Sequence, residues 1–141
     1  MINDGLKMTG AVAIALNGEV VQEIPNLVVT AGKNFVASRM KDTTKAAMTH
    51  MAIGTNNTTA AVGQTALSAE VARGALTSTT VSNNTIAYVE TFAAGTGTAA
   101  IVEAGVFNAS SSGDMLCRTV FAVVNKGSAD AMTITWTITC S

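Results

Sequence analysis

The stretch Met132-Thr133-Ile134-Thr135-Trp136-Thr137-Ile138-Thr139-Cys140 decides the fold class. Met132, Ile134, Trp136, Ile138 and Cys140 alternate strictly with Thr133, Thr135, Thr137 and Thr139. In an extended chain, successive side chains point to opposite faces. This segment is therefore a strand with one apolar face and one β-branched polar face. Upstream, residues 115–124 read as a second long strand, apolar on both faces: Leu116, Val120, Ala122 and Val124 against Met115, Cys117, Phe121 and Val123. The segment Asn125-Lys126-Gly127-Ser128-Ala129-Asp130 between them has turn chemistry, which predicts an antiparallel hairpin. Residues 99–108 read as a strand and Ser110-Ser111-Ser112-Gly113-Asp114 as a turn, which extends the hairpin to a three-stranded C-terminal meander.

The rest of the chain repeats the pattern. Val12, Ile14 and Leu16 alternate, and Asn17-Gly18 follows, the preferred pair for a type I′ hairpin because both central residues need positive φ. The return strand covers residues 19–24 and ends at Pro25, and residues 26–29 are short and apolar. Residues 75–81 and 85–92 flank Asn83-Asn84 as a second tight hairpin, and residues 48–53 read as a further strand. Two segments look helical: residues 30–40, with Thr30 as cap and Phe35, Val36 and Met40 on one face, and a turn or two over residues 67–72. Residues 55–65 read as one long exposed loop and residues 93–98 as a smaller one. Short strands at hairpin spacing predict an all-β, antiparallel β-sandwich, jelly-roll-like, with one short helix near residues 31–40.

Length and composition set the scale. At 141 residues the chain fits a single domain over residues 1–141, against about 100–200 residues per domain. Residues 1–8 read either as an extended N-terminal arm, with Ile2, Leu6 and Met8 as alternating anchors for strand addition, or as a frayed terminus. Only 12% of residues are charged and 48% are hydrophobic, with a net charge of −1. That balance lacks the basic patch that nucleic-acid binding usually requires and any polybasic membrane segment. No apolar run approaches the roughly 18–20 residues of a membrane span. The N-terminal residues lack the basic start and apolar stretch of a signal peptide, so the expectation is a soluble chain made without secretion.

Chemistry-bearing residues are sparse. His50 is the sole histidine, and Met48-Thr49-His50-Met51-Ala52-Ile53 shows no nucleophile signature, which favours a structural role. Glu90 and Glu103 each fall in a strand. They read either as an acid/base pair, or as partners of Arg118 or Arg73, or as solvent-facing carboxylates. Asp114 and Asp130 fall in turns. Gly95-Thr96-Gly97-Thr98 and Gly54-Thr55-Asn56-Asn57 lack the Lys of a phosphate loop and read as ordinary loops. Cys117 and Cys140 are too few for a zinc site and read as reduced thiols on facing apolar positions of adjacent strands. No catalytic, metal or cofactor site is expected. The strands carry few of the Lys, Pro and bulges that protect free edges, so partners are expected to cover some edges or faces.

A resemblance adds to this. The pattern Ile101-x-Glu103-x-Gly105-x-Phe107, a turn, Met115-Leu116-x-Arg118-x-x-Phe121-x-x-Val124-x-Lys126, then Thr133-Ile134-Thr135-Trp136, is similar to small β-rich virion proteins of tailed bacteriophages. A related Ile/Glu/Gly/Phe pattern occurs in the N-terminal modules of phage tail-collar fibre proteins. Ala52-Ile53-Gly54-Thr55 and Thr65-Ala66-Leu67-x-x-Glu70-Val71-x-Arg73 also resemble these sequences. The resemblance covers residues 28–138. Fibre modules continue into long shafts and this chain ends at Ser141, which favours a free-standing accessory. The role implied is a head-decoration (cement) protein on the capsid surface, made in the host cytoplasm. It would form a dimer or trimer and bridge major capsid protein subunits, with Glu103 and Arg118 as sheet-face or interface ion pairs. A tail or tail-fibre adaptor is the alternative, and a small carbohydrate-binding β-sandwich a more remote one.

Overall fold

The computed structural model describes residues 5–41 and 45–141. In chain order the elements are β1 (Met8–Leu16), β2 (Glu19–Pro25), β3 (Leu27–Val28), α1 (Thr30–Arg39), β4 (His50–Gly54), β5 (Glu70–Ala75), β6 (Ser78–Ser82), β7 (Thr85–Phe92), β8 (Ala99–Phe107), β9 (Met115–Lys126) and β10 (Met132–Cys140). They build two five-stranded antiparallel sheets, ordered β2-β1-β10-β7-β6 and β3-β9-β8-β4-β5. The expected all-β sandwich is present. The jelly-roll wrap is not what the chain adopts: β1–β2, β6–β7 and β8–β9 are hairpins within a single sheet, while β1 pairs with β10 in one sheet and β3 with β9 in the other.

The alternation in β10 does what its pattern predicts. Met132, Ile134, Trp136 and Ile138 are buried in the gap between the sheets, where they meet Val12, Ile14, Phe92, Ile101, Val106 and Phe121. The intervening threonines are half-exposed on the outer face. The β1–β2 hairpin turns at Asn17 and Gly18, both at positive φ (52° and 83°), and the β6–β7 hairpin turns at Asn83-Asn84, with Asn83 at φ 52°.

Several expectations change. β9 and β10 do not form a hairpin, and the C-terminal meander does not exist: β9 lies in the second sheet and β10 in the first. The connection is a tight corner in which the Gly127 N–H donates to Asp130 Oδ2 (2.8 Å) and the Asp130 N–H to the Gly127 carbonyl (3.1 Å). It carries the chain across the gap, so that β10 finds nine partners on β1 and eight on β7. Cys117 and Cys140 consequently sit in different sheets, both as free thiols. Residues 67–72 are not helical. Leu67 is buried and β5 starts at Glu70, because so short a segment cannot nucleate a helix alone and the edge of β4 is open to it.

Helix α1 forms where expected, but Val29 is its N-cap and Thr30 makes no capping bond. Phe35 is buried, whereas Met40 is 82% exposed. Five residues rotate a helical position by about 140°, which carries Met40 off the buried face. The helix lies so close to β9 that a methyl group on Gly32 would overlap the Leu116 carbonyl, and only glycine permits that approach.

Met8 is not part of a free arm. It is the first residue of β1, opposite Cys140, and the strand is extended by reciprocal bonds between Lys7 and Ser141 (2.7 and 2.8 Å). Leu6 is 72% exposed, and Ile2 lies outside the described residues.

Candidate functional site

The two-sided apolar character of β8 and the first half of β9 has a structural cause, because there the second sheet is covered on both faces. Further along β9, Ala122 and Val123 are exposed. The sheet's inner face packs on the first sheet. Its outer face carries a smaller core of Val29, Ala52, Leu67, Phe107 and Met115. Above that face runs the loop of residues 55–69, closed at its base by a bond from the Thr55 N–H to the Ala69 carbonyl (3.0 Å). A loop with neighbouring ends that is packed down on the body is an Ω-loop, a class that is frequently functional.

Glu103 of β8 and Arg118 of β9 hold this loop in place. Among the sequence alternatives, the pairing of Glu103 with Arg118 on the neighbouring strand is the one found, but neither side chain faces solvent or an interface: both are fully buried within the chain. Arg118 Nε and Nη2 donate to Glu103 Oε1 at 3.2 and 3.0 Å. The remaining carboxylate capacity accepts the loop's own N–H groups, from Asn56 (3.0 Å), Ser68 (3.1 Å) and Ala69 (2.9 Å). The other end of the guanidinium donates to the Thr58 carbonyl (2.8 Å) and to Gln64 Oε1 (3.0 Å). Two opposite charges thus meet between two largely apolar stretches of neighbouring strands, and each spends its spare hydrogen bonds on the loop. The physical reason for their burial is that the loop supplies the polar partners water would otherwise supply. Gly54, where β4 enters the loop, completes the arrangement, since a Cβ there would stand 2.6 Å from Glu103 Oε2.

The loop is closely tied yet chemically plain. It contains no charged residue, and its crest exposes Val62 (51%) among threonines, asparagines and alanines. The Val62 carbonyl accepts the Thr30 N–H at the start of α1 (2.8 Å), which ties the crest to the helix.

The other sequence candidates are dispersed. Glu90 does not meet Glu103. It lies on β7 in the first sheet, 6% exposed, accepting the Thr77 hydroxyl (2.9 Å) and the Thr91 N–H (2.8 Å), while Glu103 is on the outer face of the second. Neither arginine pairs with Glu90, since Arg73 bridges Glu70 (2.7 Å) and stacks over the Phe107 ring at 3.8 Å. His50 is half-buried on β4, with Nδ1 2.8 Å from the Thr49 hydroxyl. Asp130 accepts Asn17 Nδ2 (2.8 Å), and this bond and the Gly127 N–H hold its carboxyl below the usual range. Among the described residues no three His, Cys, Asp or Glu side chains are grouped to hold a metal ion, and no helix is long and apolar enough to cross a membrane.

Burial pushes the Cys117 thiol up, and it raises the Tyr88 hydroxyl to about 12. A thiol held protonated in an apolar core does not react, whereas Cys140 is half-buried at the end of β10. Titration of the native protein with a chromogenic disulfide reagent should therefore modify Cys140 alone. Cys117 should react only when denaturant is added. Prompt reaction of both thiols in the native state would show that the core around Cys117 is open.

The sequence does carry a signal for the clamp. A lone arginine inside the apolar run of residues 115–124 and a lone glutamate inside residues 101–107 are opposite charges in two strands that neighbour one another in sequence. Nothing in the sequence reveals that a loop 34 to 62 positions upstream provides their remaining partners. No family model, curated protein or solved structure matches this chain.

Proposed function

We propose that this chain is a structural virion protein of a tailed bacteriophage, a capsid decoration protein that stabilises the head by bridging major capsid subunits. The observation that carries the reading is the pre-ordered, uncharged loop of residues 55–69. A protein-docking element loses affinity to the ordering of its own chain, and here the Glu103–Arg118 clamp imposes that order before any partner arrives. The segments that resemble phage virion proteins support the same reading. Residues 52–55, 65–73, 101–108 and 115–126 lie on the second sheet and the loop that covers it, while residues 133–136 lie on β10 in the first sheet. Glu103, Gly105, Phe107 and Arg118 line the face beneath that loop. The carbohydrate reading loses support, because a sugar platform needs exposed aromatic rings. Trp136, Tyr88, Phe35, Phe92, Phe107 and Phe121, which are all the aromatics of the chain, are buried.

Repetition would supply the affinity. Many modest contacts over a lattice of identical capsid sites add through effective concentration. Densitometry of purified particles tests the proposal. A band near stoichiometric with the major capsid protein is expected, and a Val62→Glu chain should fold normally but leave particles under-occupied. Absence from particles, or only a few copies at the tail, would overturn it.

A further inference from the structure

A sheet edge with unpaired N–H and C=O groups invites another strand, and natural sheets protect such edges with charge, proline, bulges or brevity. Of the four edges here, three are protected. β2 carries Glu19, Glu23 and Pro25 and meets β1 through a register shift. β3 is two residues long. β5 carries Glu70 and Arg73 and meets β4 through a register shift. β6 has none of these devices. Its five residues, Ser78, Thr79, Thr80, Val81 and Ser82, are all exposed, regular in register with β7 and uncharged, and Val81 is 70% exposed. Residues 76–85 contain no charge at all.

We propose that β6 is the association edge of a symmetric dimer, in which two copies pair antiparallel through Ser78–Ser82 about a two-fold axis at Thr80. Antiparallel pairing about a dyad is self-complementary, so the edge needs no second kind of partner. This register pairs all five residues and sets Thr79 of each copy opposite Val81 of the other, a cross-strand β-branched pair of the kind that stabilises sheets. It brings no like charges together. A dyad at β2 would instead bring acidic strands carrying Glu19 and Glu23 against each other. Pairing at β6 joins the two five-stranded sheets into one continuous sheet and leaves β2 at both ends. Because β2 is protected, association stops at two copies. A five-residue strand contact is small, which places the dimer among reversible associations.

Sedimentation equilibrium of the full chain tests this, separately from particle binding, since the dimer can fail while decoration stands and the reverse. The wild type should show a concentration-dependent monomer–dimer equilibrium. Thr80 lies on the exposed outer face, so Thr80→Lys and Thr80→Glu should fold, and each should weaken the dimer by roughly tenfold or more by setting like charges face to face at the axis. An equimolar mixture of the two variants should recover the dimer. A wild type that stays monomeric at high micromolar concentration, a Thr80→Lys chain that dimerises as well as wild type, or a mixture that does not recover would each overturn the proposal.

Discussion

Replacing Glu103 with alanine is expected to destabilise the protein by about 3–5 kcal/mol, the range found when one member of a buried ion pair is removed. For a domain of this size that corresponds to a fall in Tm of about 10–20 °C. The cost arises on two sides. The Arg118 guanidinium stays fully buried with its counter-charge gone, and the N–H groups of Asn56, Ser68 and Ala69 lose their acceptor. Arg118→Ala should cost a similar amount for the converse reason, and Glu103→Gln less than Glu103→Ala because the amide oxygen still accepts from the loop. The location of the damage is as informative as its size. Amide exchange in Glu103→Ala should accelerate first over residues 55–69, while β1 and β10 in the other sheet keep their protection until global unfolding. Uniform acceleration across both sheets, or a change in Tm of only a degree or two, would show that the pair does not hold the loop.

Trp136→Ala should be comparably damaging, at about 3–5 kcal/mol, and without regional preference. Trp136 is fully buried at the centre of β10, paired to Val12 on one side and Tyr88 on the other, so its removal opens a cavity in the middle of the sandwich. Trp136→Phe is the discriminating companion. The indole Nε1 is buried with no hydrogen-bond partner, and such an orphan donor costs about 1–3 kcal/mol. Phenylalanine removes that liability while keeping most of the apolar contact, so its net effect should be far smaller than that of alanine. Chemical denaturation of both variants gives the comparison directly. If Trp136→Phe proved as damaging as Trp136→Ala, the indole would be making a hydrogen bond that matters.

The two experiments probe different parts of the architecture. Trp136 reports on the core shared by the sheets, and Glu103 on the second, smaller core beneath the loop. If the loop is the docking surface, Glu103→Ala should weaken particle binding at temperatures where the sandwich is still folded. Val62→Glu should do so with no loss of stability.

Local alternation establishes what kind of element most segments form, residues 67–72, which read as helical and lead into β5, being the exception. The threonine–apolar alternation of β10 and the apolar run of β9 state whether one or two faces of a strand are buried, because that depends on period alone, and Asn17-Gly18 marks a hairpin turn. They do not state what does the burying. Whether β10 continues a meander beside β9 or crosses to lie between β1 and β7 depends on pairings such as Leu16 with Met132, more than a hundred positions apart, which no local pattern encodes. For the same reason the sequence leaves open whether Glu103 pairs with Arg118 or faces solvent, and does not show that the pair is buried. Two opposite charges belong in a core only when every hydrogen bond they require is met, and their remaining partners come from a distant loop that only the folded chain brings over them.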